Sequence, residues 1–339
     1  MKQIIIFLIL AISVVTSCQK DDFTRSGIAE DHFFLQSNGQ NMPVLVAGNL
    51  DSKKMILILH GGPGASSLFY REPYVRDVVE KEFVIVYWDQ RYAGMTQGNG
   101  GSTDLNVFRD DVKKLIQLLK VKYGADQEIY LFGASWGGFL ASYFLLHDSN
   151  EQMVKGWIQV DGAHNYSLND SLTKEMLLVY GVREINAGRN TDFWKEAVDW
   201  CNKHDYHDIE NSRKLNKYAT EAETKLNEID GYSLAKVPLT DNRSGGSLTA
   251  NSASSYFQKI DLQAYDHTNS EELYKLTLPV LLLWGKYDFI CPTGLADDIE
   301  ANIGSTDVQK IIFEHSGHNA AFIELNLFWS EVINWMRNH

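Results

Sequence analysis

Cysteine is scarce in this sequence: three residues in 339, of which only Cys201 and Cys291 lie beyond the first 20 positions. Two cysteines so far apart make no spacing pattern, which excludes a disulfide scaffold. Free buried thiols are expected ahead of a bridge between the two, which stays open as the alternative. Positive charge is in deficit, with 31 Lys and Arg against 44 Asp and Glu, a net charge of −13 and a pI near 5.2. That balance argues against nucleic acid as a partner and against a broadly basic membrane-binding face. No glycine pattern of the dinucleotide-binding kind occurs, so no cofactor is expected. His204-Asp205-Tyr206-His207 holds two histidines three apart with no third or fourth ligand in view, so no metal site is expected.

What remains is ordinary for a globular chain: 44% hydrophobic and 22% charged residues. The chain opens with Lys2 and an apolar stretch over residues 4–15 that is too short to span a membrane. Residues 1–17 therefore read as an export signal. Val15-Thr16-Ser17-Cys18 resembles a bacterial lipobox, which would make Cys18 the lipidated first residue of the mature protein, followed by a tether over residues 18–30. Gln19-Lys20-Asp21-Asp22 resembles the surface-export signal of some Gram-negative lipoproteins, with a plain solvated tether as the equal alternative. The expected location is the bacterial cell envelope, at the outer membrane, with attachment through the N-terminal lipid only.

The chemistry centres on Gly133-Ala134-Ser135-Trp136-Gly137, a match to G-x-S-x-G. A short apolar run at residues 129–132 precedes it and a longer one at 139–146 follows, giving strand, tight turn and helix. The turn is sharp, so the residues two before and two after the serine must be small for the backbones to pass. The strain lifts the hydroxyl above the sheet edge, where it can attack a carbonyl. A serine needs a base, and the base needs an acid to orient it. In this chain order the acid and then the histidine lie downstream. Asp288 follows the apolar run 279–284, and His318 follows the run 310–313 through Glu314-His315-Ser316-Gly317. His315 competes with His318; the glycine loop favours His318 because it returns that residue over the sheet.

Upstream, aromatic and aliphatic residues from 31 to 47 surround Ser37-Asn38-Gly39-Gln40 and read as an edge hairpin. A buried strand at 55–59 ends in His60-Gly61-Gly62-Pro63-Gly64. Glycines directly after a strand bring bare N–H groups close to a ligand, so this loop can supply half of an oxyanion hole, with the N–H of Trp136 as the other half. Gly62 is the expected donor and Gly61 its rival. Residues 83–88 form the next strand, ending in Asp89-Gln90-Arg91. An amphipathic helix over 104–123 is capped by Thr103 or Asp104 and stopped by Gly124. Residues 154–160 give one more strand, ending at Asp161-Gly162.

From 164 to 276 the strand–helix alternation breaks. Helices are expected at 172–187, 191–203 and 212–230, with a mobile loop at 243–247. Aromatics are dense here, among them Trp194, Trp200, Tyr256 and Phe257. A helical insertion between core parts 31–163 and 277–339 reads as a cap over the site.

These pieces resemble the α/β-hydrolase fold, a mostly parallel sheet flanked by helices with a mainly helical cap. The specific markers resemble the proline iminopeptidase branch. They are H-G-G-P-G at 60–64, W-D-Q-R at 88–91, G-x-S-W-G-G around Ser135, G-K-Y-D at 285–288 and S-G-H at 316–318. The resemblance implies Ser135 as nucleophile, Asp288 as orienting acid and His318 as base, with the N–H groups of Gly62 and Trp136 on the oxyanion. Two positions depart from the family pattern: Tyr92 stands where a glycine is usual, and Ala134 replaces the glycine before the serine. The family also pairs acidic cap residues with the substrate's free amine. Glu175, Glu184, Glu196, Glu210, Glu221, Glu223 and Glu228 are available, and Glu175 and Glu184 lie nearest the cap entrance in sequence.

Three functions follow. The first is an aminopeptidase releasing N-terminal residues from short peptides. The second is an esterase or amidase on small acyl substrates. The third is a ligand-binding sensor that kept the fold without turnover. Aspartate in place of Ser135 would mark epoxide hydrolase or dehalogenase chemistry, which the serine disfavours. The oligomeric state is left open.

Overall fold

The computed structural model describes residues 27–98, 101–206, 208–229, 259–260, 263–265 and 267–339. The export signal, Cys18, most of the tether, His207, the loop at 243–247, Tyr256 and Phe257 lie outside the described residues. One sheet organises the rest. Its strands are β1 (Ile28–Ser37), β2 (Gln40–Asn49), β3 (Lys54–Leu59), β4 (Val84–Trp88), β5 (Glu128–Ala134), β6 (Gly156–Val160), β7 (Val280–Gly285) and β8 (Val308–Phe313). The spatial order is β1-β2-β4-β3-β5-β6-β7-β8. The β1–β2 and β2–β4 pairings are antiparallel and the remainder parallel.

The central strands are nearly continuous apolar runs because both faces are covered. Side chains alternate across the sheet. Leu57, Val86 and Leu131 face one core, while Ile58, Tyr87 and Phe132 face the other. Helices α1 (Leu105–Tyr123), α2 (Trp136–Leu145) and α6 (Gly294–Asn302) cover the first face. Helix α7 (Leu325–Asn338) covers the second, where Trp329 stacks on Phe132 with ring centroids 5.6 Å apart. Asp104 caps α1 by accepting from the N–H of Asn106, and Gly124 ends it at φ +122°. The expected apolar stripe Leu105, Phe108, Val112, Leu115 and Leu119 is buried.

The β1–β2 hairpin turns at Asn38 and Gly39, both at positive φ, the two-residue geometry that suits strand twist. β1 begins at Ile28, inside the stretch expected as tether. Between β6 and β7 stand α3 (Tyr166–Asn186), α4 (Thr191–Lys203) and α5 (Ile209–Lys225). α3 starts six residues before the helix expected at 172, because Asn165 caps it and accepts from the N–H of Leu168. α5 starts three residues before 212 for the same reason, with Asp208 accepting from Asn211. Polar first turns hid both starts from an apolar pattern. The three helices bury Leu177, Trp194, Leu215, Tyr218 and Ala222 in a cluster of their own, joined by Phe289 from the loop after β7.

Candidate active site

The chain turns from β5 into α2 within one residue. Ser135 sits at φ +53° and ψ −120°. That conformation is strained for any residue with a side chain. Its backbone is pinned on both sides: the Ser135 N–H donates to Val160 O at 3.0 Å, and its carbonyl accepts from the Ala163 N–H at 3.1 Å. Small neighbours permit the turn. A Cβ on Gly137 would overlap the carbonyl oxygen of Leu59, and one on Gly133 would meet Gly137 O at 2.7 Å.

Ser135 and His318 line one cavity of about 170 Å³, together with His60, Gly61, Gly62 and Asp161. Ala65, Tyr70, Val160, Ala321 and Phe322 give it an apolar wall. His318 Nδ1 lies 2.9 Å from Asp288 Oδ2. Asp288 is fully buried, and its Oδ1 accepts from the N–H groups of Ile290 at 2.8 Å and Cys291 at 2.7 Å. With Nδ1–H held by the carboxylate, Nε2 of His318 is left as the basic nitrogen. His315 is exposed and does not line the cavity.

The H-G-G-P-G, W-D-Q-R and G-x-S-W-G-G segments are wired together. The Trp136 indole N–H donates to Gln90 Oε1 at 3.0 Å, and Gln90 Nε2 donates to His60 O at 3.0 Å. The Gln90 backbone N–H donates to His60 Nε2 at 3.0 Å, so the ring hydrogen is assigned to Nδ1, which donates to Gly61 O at 2.8 Å. Burial holds the His60 imidazole below its usual pKa, in keeping with this neutral tautomer. The Ala65 N–H also donates to Gly61 O, at 3.3 Å. In a trans peptide the carbonyl and the next N–H point opposite ways. Fixing the Gly61 carbonyl toward His60 and Ala65 therefore turns the Gly62 N–H away from them. Trp136 opens α2, where the first N–H groups have no partner within the helix. Gly61 packs nearer to Ser135, with its Cβ position 3.1 Å from Ser135 Cβ. Tyr92 takes φ +61°, so the backbone conformation suited to glycine is kept with a larger side chain.

Three carboxyls crowd this end of the sheet, Asp161 and Asp288 buried and Glu223 half-buried. Asp161, at the end of β6, accepts from the Gly285 N–H at 2.8 Å. Glu223, on α5, accepts from the N–H groups of Phe289 and His318. Burial pushes Asp161, Asp288 and Glu223 all upward, Glu223 to about 8. The donors converging on Asp288 single it out as the carboxyl that ionises first.

Glu175 and Glu184 are not brought to the cavity. Glu175 is exposed on α3, and Glu184 is buried in a fork between Arg183 and Arg189, whose hydrogen bonds hold its carboxyl below the usual range. Nearness in sequence did not bring either to the cavity, because Glu175 is left in solvent and Glu184 is taken up by the two arginines. Asp161 could have been found by the signal that marked Asp288, a polar residue closing an apolar strand. Cys201 and Cys291 are free and buried. His204 stacks on Trp200 with centroids 4.8 Å apart.

A sequence profile described as alpha/beta hydrolase fold matches residues 54–325. The chain belongs to this family. It is 23% identical over 325 residues to a protein of Bacillus subtilis (strain 168) named "Probable aminopeptidase YbaC", covering 89% of this chain and 95% of that one. Among solved structures it is similar to the proline iminopeptidase of Mycobacterium smegmatis, with TM-score 0.66, 13% identity, and 92% and 98% of the two chains covered. It is also similar to an esterase from Exiguobacterium antarcticum, with TM-score 0.59, 17% identity, and 92% and 100% covered.

Proposed function

We propose that the protein is a serine hydrolase in which Ser135 is the nucleophile, His318 the base and Asp288 the acid that orients it. The observation carrying this reading is the strained Ser135 sharing a cavity with His318, whose Nδ1 stands 2.9 Å from Asp288. His318 Nε2 takes the hydroxyl proton as Ser135 Oγ attacks the carbonyl carbon of the substrate. The oxyanion is received by the N–H groups of Gly62 and Trp136. The leaving amine or alcohol departs with the proton from His318, and water, activated by the same imidazole, releases the acyl group from Ser135.

The favoured substrate is a short peptide with a free N-terminus, cleaved to release its first residue. Among the described residues Asp161 is the one carboxyl lining the cavity, and a substrate ammonium beside it would favour its ionised form over the neutral form that burial favours. The amine would then be read from the sheet edge, where neither Glu175 nor Glu184 reaches. The second reading, an esterase or amidase on small acyl groups, is favoured by the apolar wall of Tyr70, Ala321 and Phe322. Hydrolysis of proline anilide, its N-acetyl form and a short-chain aryl ester, with Ser135→Ala as control, separates them. Cleavage of the free-amine anilide alone supports the aminopeptidase; ester cleavage without preference for a free amine overturns it. No Ser135-dependent cleavage of any of the three would return the sensor reading. Cys18 is proposed as the lipid attachment point at the bacterial envelope, and Cys18→Ala should release the protein from membranes.

A further inference from the structure

The Asp288 and His318 loops leave the sheet at the ends of β7 and β8, but the cap grips them. The Phe289 N–H donates to Glu223 Oε1 at 3.0 Å, and the His318 N–H is shared between Glu223 Oε1 and Oε2 at 3.2 and 3.1 Å. The Glu223 and Asp288 carboxyls lie near enough for each to act on the other's charge. Gly317 makes room for this: any Cβ there would overlap the Glu223 carboxyl. From α3, Thr173 Oγ1 donates to Phe289 O at 2.9 Å, and Asn169 Nδ2 donates to Ile290 O at 3.0 Å. The Phe289 ring is fully buried in the cap cluster, 5.3 Å from the Tyr180 ring and 6.2 Å from Trp194.

We infer that Glu223 is a positioning residue: a protonated cap carboxyl that donates to Asp288 and adds a tie from α5 between the acid loop and the histidine loop, which also meet directly through the Lys286 N–H on Phe313 O and the Tyr287 N–H on Ser316 O, each at 2.9 Å. The inference rests on the triad proposed above. Two carboxyls held next to each other away from bulk water repel as a pair of anions, and sharing one proton relieves that repulsion. Each carboxyl accepts from two backbone N–H groups, and Asp288 faces the imidazole besides, so the proton is assigned to Glu223. The ionisable groups facing it are Asp288 and Cys291 from the β7 loop, His318 from the β8 loop and Asp161 from β6. Asp170 on α3 and Cys201 on α4 lie on the other elements packed against α5. With Asp288 ionised beside it, burial keeps Glu223 protonated up to about pH 8. Above that, a second negative charge would face Asp288 and break the tie. Glutamine reproduces the protonated form: its carbonyl accepts the backbone N–H groups and its amide donates to Asp288.

The test uses the full chain. A fluorophosphonate probe labels the active serine, and its rate is followed from pH 5 to 10 in the wild type, Glu223→Gln and Glu223→Ala, alongside thermal unfolding over the same range. Glu223→Gln should react within about threefold of wild type at pH 7 and keep its rate above pH 8, where wild type declines. Glu223→Ala, losing hydrogen bonds to a charged group, should fall about 10- to 100-fold. Wild type should also lose stability relative to Glu223→Gln as pH rises from about 5 to 8, because the folded carboxyl keeps a proton that the unfolded chain gives up. A glutamine variant as slow as the alanine variant at pH 7 would overturn the inference, and would show that the charge itself is needed, as for binding a substrate amine. Parallel pH–stability curves would overturn it too. If the wild type takes no label at Ser135, the hydrolase reading fails, while divergence of the stability curves still places the proton on Glu223.

Discussion

Ser135 is set by a turn between adjacent core elements and by backbone bonds to Val160 and Ala163, whereas the loops that carry Asp288 and His318 are also gripped by cap side chains 66 to 121 residues from the groups they bond. The first half of the site needs only a strand, a helix and glycines small enough to let them cross. Its strain is overcome by the sheet, through the bonds of Ser135 to Val160 and Ala163. The second half has backbone bonds of its own, Lys286 to Phe313 and Tyr287 to Ser316, and the cap adds side-chain bonds from Glu223, Thr173 and Asn169. The candidate site thus combines a part braced by the core alone and a part braced by both core and cap.

The largest effects should come from the two chemical groups, and they test whether the halves are equally necessary. Ser135→Ala should lower turnover by about 10⁴- to 10⁶-fold, measured on whichever substrate the wild type cleaves. Its melting temperature should be nearly unchanged, because the sheet imposes the turn whatever the side chain. Ser135→Gly should be as inactive and more stable by about 1 kcal/mol, since glycine accepts the positive φ. Asp288→Asn should lower turnover by about 10⁴-fold, because an amide that donates to Nδ1 leaves the imidazole in the wrong tautomer. The amide oxygen can keep both Oδ1 bonds, from Ile290 and Cys291, so the variant should stay folded while the amide nitrogen replaces the acceptor that faced His318.

Phe289→Ala sharpens the contrast, because it removes a side chain that never meets substrate. Deleting a fully buried phenylalanine costs about 3–5 kcal/mol. The ring belongs to the cap cluster, so the loss should fall on cap docking. Labelling of Ser135 should slow while core unfolding, followed by hydrogen exchange in β3 and β5, stays close to wild type. Equal loosening of cap and core would abolish the distinction between the two halves.

This division also explains what could be read from the chain. The hairpin, the central strands, α1 and the Gly133–Gly137 turn were legible because each follows from local pattern: apolar runs, a cap residue, glycines flanking a serine. Asp288 and His318 were legible by their place just after apolar runs. The role of the cap was not. Glu175 and Glu184 were singled out by order along the chain, but facing is decided by helix rotation and by how α3 packs on α5, both tertiary properties. Glu223 looks like any other acid on a charged helix. It becomes distinct only because Gly317 leaves a space for it beside the Phe289 and His318 N–H groups, from which it accepts. Its sequence has no way to show that space, since Gly317 lies 94 positions further on.

The smallest effect expected is in the pH dependence of the cap itself. Asp170 on α3 is buried beside Ser212 of α5, and burial pushes its carboxyl up to about 7. Its folded value lies above that of the unfolded chain, near 4. The native state therefore keeps a proton that the unfolded state loses, and the stability this group contributes is full below about pH 4 and declines until the pH passes about 7. Asp170→Asn keeps the shape and cannot ionise. The difference in melting temperature between the variant and the wild type should thus grow in the variant's favour from pH 4 to pH 7 and stay level above. Because Asp170 joins two cap helices and touches neither Asp288 nor His318, turnover at pH 7 should change by less than about threefold, the scale of a surface-level perturbation below 1 kcal/mol. A variant that flattened the pH–stability curve yet lowered turnover tenfold would mean that α3 and α5 move together with the acid loop, and that the boundary between the two halves lies deeper in the cap than Glu223.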